Sequence, residues 1–333
     1  MKTNKKIAVI GGGSWATAIV KILTESLDQV HWYMRNEEAI KHIKKEHHNP
    51  HYLSAVTLDP KHLILTSDIN QAVSKADYLI FVIPSAFLNS ELKKLTHSLK
   101  GKIIYSAIKG IVPETGLIVG EHFHQQYDIP YENIGVISGP CHAEEVALER
   151  LSYLTIACSD IEKAQLLAQI LDNDYIRCIV SKDVVGTEYA AMLKNIYAIA
   201  AGMYHALGYG DNFQSVLMSN AIRETERFIK NIDKTERNIN DSAYLGDLLV
   251  TGYSSFSRNR MFGTMIGKGY TVQNAKLEMS MIAEGYYAAK CAYDLNYQQA
   301  KPAEIPIIQS VYKVLYENHD PSKTMFNLTR KLY

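Results

Sequence analysis

Apolar and polar positions follow two rhythms along this chain. Before about residue 182, short β-branched runs alternate with helical stretches. Lys6–Ile10, Val30–Met34, Asp77–Ile83, Lys102–Tyr105, Asn133–Ile137, Leu151–Ala157 and Tyr175–Val180 read as strands. Several are apolar without alternation, as strands covered on both faces are. Helical periodicity runs over Thr17–Leu27, from Ser85 to about Leu99, and over Ile161–Leu171. From Asp183 onward the strand signals stop, and the segments Asp211–Asn231, Glu284 to about Leu295 and Ile305–Tyr316 are helical in pattern. The expected organisation is therefore an α/β domain over 1–182 and an all-α domain over 183–333.

The first helix of the second domain, Gly186–Met203, is apolar nearly all round and should be buried. Lys194 sits in its middle with Asn195 beside it. A buried ammonium is costly unless it reaches water or faces a polar partner. Two readings follow: a lysine snorkelling to the surface, or one that faces a cavity and handles a proton. Asp247, an acid inside the apolar stretch Tyr244–Thr251, likewise needs a partner. Further on, Arg258 and Asn259 lie in a Ser/Gly-rich turn ahead of a new helix. That chemistry suits a phosphate monoester; a capping loop with a surface arginine is the alternative.

The first strand runs directly into Gly11-Gly-Gly-Ser-Trp-Ala16 and then a helix. Strand, glycine turn, helix is the context of a Rossmann-like dinucleotide-binding domain. Gly11 permits the turn, Gly13 admits a pyrophosphate to the backbone, and Ala16 allows close helix–strand packing. At the end of the second strand the chain has Met34-Arg35-Asn36 where an NAD-preferring site has an acid. Arg35 can pair with a 2′-phosphate, which favours NADPH over NADH. Glu37 and Glu38 read as first-turn helix acids. Lys109 follows the strand ending at Tyr105, on the edge where open α/β sheets bind ligands; a solvated loop lysine is the other reading. Ser138-Gly-Pro-Cys-His-Ala-Glu-Glu145 is expected to open a helix with Pro140 at its first position. Amides near Gly139 and Cys141 could meet a cofactor, and Cys141 has no base paired with it in sequence. His47, His48 and His51 fall in a polar stretch with no carboxylate or cysteine at ligand spacing, so it reads as surface loop or helix end and no metal is expected.

Composition narrows the partners. Lys plus Arg and Asp plus Glu both number 35, so nothing overall favours nucleic acid. The four cysteines form no C-x-x-C pair and read as reduced thiols of a cytoplasmic protein. No stretch approaches a membrane span, and the N-terminal apolar run is too short for a signal sequence.

The ordered set Gly-x-Gly-Ser-Trp-Ala-Thr-Ala, Lys109-Gly, Gly139-Pro-x-x-Ala-Glu-Glu, Glu188 with Lys194-Asn195, Gly246-Asp-Leu and Ser257-Arg-Asn-Arg resembles bacterial NAD(P)-dependent glycerol-3-phosphate dehydrogenase, over nearly the whole chain. The resemblance implies a cofactor site of Gly11, Gly13, Ser14, Trp15, Arg35, Lys109, Ala143, Arg258, Ile282 and Glu284. It implies that Lys109, Gly139, Cys141, Lys194, Asp247, Ser257, Arg258 and Asn259 face substrate, with Thr251 adding a hydroxyl. Lys194 would be the acid/base in hydride transfer between NAD(P)H and dihydroxyacetone phosphate, Asp247 would orient it, and Lys109 and Asn195 would hold and polarise the substrate. A homodimer and a place in glycerophospholipid synthesis are implied too. Cys141 stands where the family usually has Ser or Thr, and Ala16 where it more usually has a third glycine. Two rivals stay open: another two-domain reductase of hydroxy or keto acids, and a non-catalytic NADP(H)-sensing protein on the same fold.

Overall fold

The computed structural model describes residues 5–279 and 283–333. They pack as two compact units, one of the residues up to Ile108 with Val119–Val184, the other of Lys109–Ile118 with Val185–Tyr333. The sequence placed a single boundary between 182 and 183. The packing adds an excursion, because Lys109–Ile118 joins the helical unit, where Ile111 and Ile118 enter its core.

The strands, in chain order, are β1 (Ile7–Ile10), β2 (Val30–Tyr33), β3 (Leu63–Thr66), β4 (Tyr78–Phe81), β5 (Ile103–Ser106), β6 (Ile111–Val112), β7 (Leu117–Ile118), β8 (Ile134–Ser138), β9 (Ser152–Cys158) and β10 (Ile176–Ser181). Among the described residues, β6 and β7 form a small hairpin in the helical unit, and the other eight form one sheet in the order β10-β9-β8-β5-β4-β1-β2-β3. From β3 to β8 neighbours run parallel; β9 is antiparallel to β8. The order 3-2-1-4-5-8 is that of a doubly wound dinucleotide-binding sheet, and the strand order reverses between β1 and β4. All four residues of β1 and of β4 are buried, which is why neither shows polar alternation.

Three local expectations change. The helix from Ser85 ends at Leu92, because the Asn70 side chain accepts from the amides of Thr96 and His97 and holds that stretch in a turn. The helix after β8 begins at Ala143, so Pro140 precedes it in a turn where Gly139 has φ 120°. Leu63–Thr66, Ile69–Lys75 and Val119–Tyr127 are ordered elements outside the strands and helices expected from the sequence; the first is a short apolar run of four residues, and the other two are helices of mixed polarity.

The helical unit is built around Val184–Ala206, in which every residue from Gly186 to Tyr204 is buried. The helices Arg258–Gly267 and Glu284–Tyr297 lie against it at backbone contact distance. A Cβ on Gly202 would stand 2.0 Å from the Arg260 carbonyl oxygen, and one on Gly263 2.0 Å from that of Ile199. Gly285 approaches the Asn195 carbonyl in the same way, at 2.5 Å. Glycine here removes the side chain that would push the helices apart. Among the described residues no helix is long and apolar enough to cross a membrane.

Candidate active site

Each unit carries one constellation. In the helical unit, Lys194 is 5% and Asp247 1% exposed, and the Lys194 ammonium donates to Asp247 Oδ1. Lys109 Nζ lies 3.7 Å from Asp247 Oδ2. One buried carboxylate thus faces two ammonium groups, one at each oxygen. Burial pulls the Lys194 pKa down from 10.5 to about 7; the Asp247 charge opposes that fall and the Lys109 charge adds to it. A single π-helical turn, Ser242–Gly246, delivers Asp247 to the start of the helix Asp247–Tyr253. Such turns shift the phase of the residues that follow.

The surrounding amides form a chain across three helices. Asn195 Nδ2 donates to the carbonyls of Lys109 (3.1 Å) and Ala191 (3.3 Å). Its Oδ1 accepts from Asn259 Nδ2 at 2.9 Å, and Asn259 Oδ1 accepts from the Gly285 amide at 2.8 Å. Both amide protons of Asn195 are therefore committed to protein carbonyls, and the side chain anchors the backbone of Lys109. The Thr251 hydroxyl donates to the Asp247 carbonyl at 2.7 Å, so its proton is spent inside its own helix. Arg258 and Asn259 are the first residues of the helix Arg258–Gly267, not of a turn ahead of it. Ser257 caps that helix, accepting from the Arg260 amide at 3.3 Å, while the Arg258 side chain is exposed at its start. Glu284 opens the helix Glu284–Tyr297. Ile282 lies outside the described residues.

In the sheet unit the turn after β1 carries Gly11, Gly13, Ser14 and Trp15. A Cβ on Gly11 (φ 137°) would stand 2.2 Å from the carbonyl oxygen of Val82, past the end of β4, so this glycine serves close packing at the strand-order reversal. A Cβ on Gly13 would meet nothing within 4 Å. Gly13 caps the helix Ser14–Ser26 with no side-chain acceptor, and the first turn of that helix holds no acid. Trp15 Nε1 is buried without a hydrogen-bond partner. An open glycine cradle, an uncapped helix start and an unmet indole donor fit a bound dinucleotide. Arg35, just past β2, is exposed, its guanidinium 5.8 Å from the centre of the Phe87 ring. Glu37 and Glu38 occupy the first turn of Glu37–Glu46, which Asn36 caps through the Ala39 amide. Gly139, Cys141 and Ala143 follow β8, all buried; a Cβ on Gly139 would lie 2.7 Å from the Tyr153 carbonyl oxygen. His47 ends Glu37–Glu46 in a left-handed cap, and no group of three metal-ligating side chains occurs among the described residues.

The sequence reading missed the glycines that let the site helices touch. Gly263-x-x-x-Gly267 is the spacing of a close helix contact and was the available signal.

A doubly wound nucleotide-binding unit joined to a helical unit with a buried lysine–carboxylate pair defines a two-unit, Rossmann-type dehydrogenase. Models of NAD-dependent glycerol-3-phosphate dehydrogenase match the chain in two parts, the N-terminus over residues 6–164 and the C-terminus over 183–326. The chain is 36% identical over 329 residues to glycerol-3-phosphate dehydrogenase [NAD(P)+] of Exiguobacterium sp., covering 98% of this chain and 95% of that one. The Latilactobacillus sakei protein of the same name is 33% identical over 330 residues, with 98% and 96% covered. Among solved structures, glycerol-3-phosphate dehydrogenase from Coxiella burnetii superposes with a TM-score of 0.89 at 25% identity, covering 98% of each chain. The chain belongs to the NAD-dependent glycerol-3-phosphate dehydrogenase family.

Proposed function

We propose that the protein interconverts dihydroxyacetone phosphate and sn-glycerol 3-phosphate with NADPH or NADH, and that Lys194 is the acid/base. The observation that carries this reading is the buried Lys194–Asp247 pair with Lys109 on the second carboxylate oxygen, in a chain of this family. The reduced nicotinamide, when bound, supplies hydride to the C2 carbonyl carbon. Lys194 gives its proton to the C2 oxygen as negative charge develops there, and takes it back in the oxidative direction. Its lowered pKa suits that exchange near neutrality, because both protonation states are accessible. Asp247 holds the ammonium in place. Lys109 places a second positive charge beside the site, and Asn195 fixes the backbone from which Lys109 extends. Arg258, exposed at a helix start, binds the substrate phosphate; Ser257 and Asn259 fix the helix turn that presents it. Gly13, Ser14 and Trp15 hold the pyrophosphate side of the dinucleotide. Arg35 pairs with a 2′-phosphate, so NADPH is preferred.

The same reading makes the protein a cytoplasmic homodimer that supplies glycerol 3-phosphate for glycerophospholipid synthesis. The test is direct: purified protein, NADPH and dihydroxyacetone phosphate, following the absorbance of the reduced nicotinamide. Lys194→Ala should lose on the order of 10²–10⁴-fold in kcat/KM while still binding NADPH. Near-normal turnover by that variant would remove Lys194 from proton transfer, and no oxidation of NADPH by the wild type would remove the reaction.

A further inference from the structure

Three consecutive carbonyl groups of the glycine turn are each held by a side chain from elsewhere in the sheet unit. Trp32 Nε1, in β2, donates to the Gly11 carbonyl at 2.6 Å. Asn49 Nδ2 donates to the Gly12 carbonyl at 3.2 Å and to Thr17 Oγ1 at 2.9 Å. The Thr17 hydroxyl in turn donates to the Gly13 carbonyl at 3.0 Å, beside the Thr17 amide, which donates to the same oxygen at 2.9 Å as the first bond of the helix. Trp32 and Thr17 are fully buried and Asn49 almost so. The Asn49 carbonyl oxygen is itself engaged by the His51 amide at 3.1 Å.

In a trans peptide the N–H points opposite to the C=O. Pinning the carbonyls of Gly11, Gly12 and Gly13 therefore aims the amides of Gly12, Gly13 and Ser14 the other way. Three glycines in a row have few steric barriers to rotation of their peptide planes. A plane that turned over would replace a donor by a carbonyl dipole facing the anion. We infer that Trp32, Asn49 and Thr17 are positioning residues for dinucleotide binding, which lock the peptide planes of the glycine turn with their amides toward the pyrophosphate. The inference rests on the dinucleotide reading above and adds residues that never touch the ligand.

The test uses variants of the full chain: the near-isosteric Thr17→Val and Asn49→Asp, the smaller Trp32→Phe, and Thr17→Ser as the conservative control. Binding of NADPH is read from its fluorescence, and ADP-ribose and adenosine are titrated by NMR. Losing the Gly11 anchor in Trp32→Phe should weaken NADPH and ADP-ribose about five- to tenfold, since a single hydrogen bond is worth about that factor; Thr17→Val, which leaves the residue-17 amide on the Gly13 carbonyl, should weaken them less. Adenosine has no pyrophosphate and should bind each folded variant as it binds the wild type. Thr17→Ser should restore wild-type affinity. Asn49→Asp, which sets a carboxylate beside the Gly12 carbonyl, should weaken most. Equal losses for ADP-ribose and adenosine would mean general loosening of the unit and would overturn the proposal, as would an NADPH affinity within twofold of wild type in Trp32→Phe. Failure of the wild type to bind NADPH at all would instead remove the dinucleotide reading, and the proposal with it. Where one variant does not fold, the other two decide.

Discussion

Asp247→Asn keeps the shape of the buried pair and removes its negative charge. Lys194, 5% exposed, then has only the amide oxygen as partner, with Lys109 still close to residue 247. At an effective dielectric near 20, two unit charges ~4 Å apart interact by about 4 kcal/mol. One pKa unit corresponds to about 1.4 kcal/mol. The retained hydrogen bond and local relaxation offset part of the loss, so a further fall of about two units in the Lys194 pKa is the working figure. The sign follows from which form reacts. Reduction needs the protonated lysine, so kcat/KM for dihydroxyacetone phosphate is high below its pKa and lost as pH rises through it. In the wild type that loss should centre near the lowered Lys194 value, about 7. In Asp247→Asn it should centre about two units lower. A more acidic donor transfers its proton more readily and returns part of the rate, so the breakpoint is diagnostic rather than the rate at one pH. The assay is the full pH profile of kcat/KM, with NADPH affinity and the thermal midpoint as checks that the variant is folded. A breakpoint within about half a unit of wild type would refute the assignment of that limb to Lys194 coupled to Asp247.

Lys109→Met should move the same breakpoint the opposite way, to higher pH, because the Lys109 charge depresses the Lys194 pKa; a downward shift would contradict this arrangement. Arg35→Gln should weaken NADPH by about ten- to a hundredfold, the loss of a charge-assisted hydrogen bond, and leave NADH nearly unchanged. Equal losses measured for the two cofactors would exclude a 2′-phosphate contact. Gly263→Ala puts a methyl group 2.0 Å from the Ile199 carbonyl oxygen and should destabilise the protein by about 2 kcal/mol or more, seen as a thermal midpoint lower by several degrees. Glu224, buried and bonded to the amides of Ile307 and Ile308, has its pKa raised by burial from 4.5 to about 8. Because the folded value is raised, its contribution is full below the unfolded pKa and fades as pH rises through the folded one. Wild type should therefore lose stability relative to Glu224→Gln between about pH 4.5 and 8, and a urea-denaturation gap that does not change with pH would contradict this.

The sheet unit was readable because its signals are local. A β-branched run, three glycines and a helical period occur together at Ile7–Ser26, and the doubly wound order follows from that context. Lys194 and Asp247 stood out for the opposite reason: charges set in apolar surroundings demand partners, and each is a partner of the other. What could not be read is set by contacts distant in sequence. Nothing near Asn195 announces that its amide is taken up by Lys109 and Asn259, 86 and 64 residues away. The hairpin β6–β7 has strands of two residues, too short for any period, so its membership of the helical unit was invisible. At Ser257 the sequence allowed both a phosphate-binding turn and a capping loop with a surface arginine; the cap is present, with Ser257 accepting from the Arg260 amide and Arg258 exposed on the first helical residue.

The excursion of Lys109–Ile118 into the helical unit has a consequence for how the chemistry is partitioned. Lys109 leaves the C-terminal end of a sheet strand, a place where a residue would ordinarily serve the nucleotide side. Here its backbone is tied to Asn195 and its ammonium to Asp247, both in the helical unit. The three charges that set the Lys194 proton equilibrium thus share one packed body. The groups that orient the glycine turn (Trp32, Asn49 and Thr17) all belong to the other body. Proton affinity and dinucleotide affinity are then separately adjustable. Substitution at Asp247 should move the pH breakpoint without changing NADPH affinity in the free protein. Substitutions at Trp32 or Thr17 should do the reverse. A variant of either set that moved both quantities together would show that the two functions are coupled through more than the reaction they share.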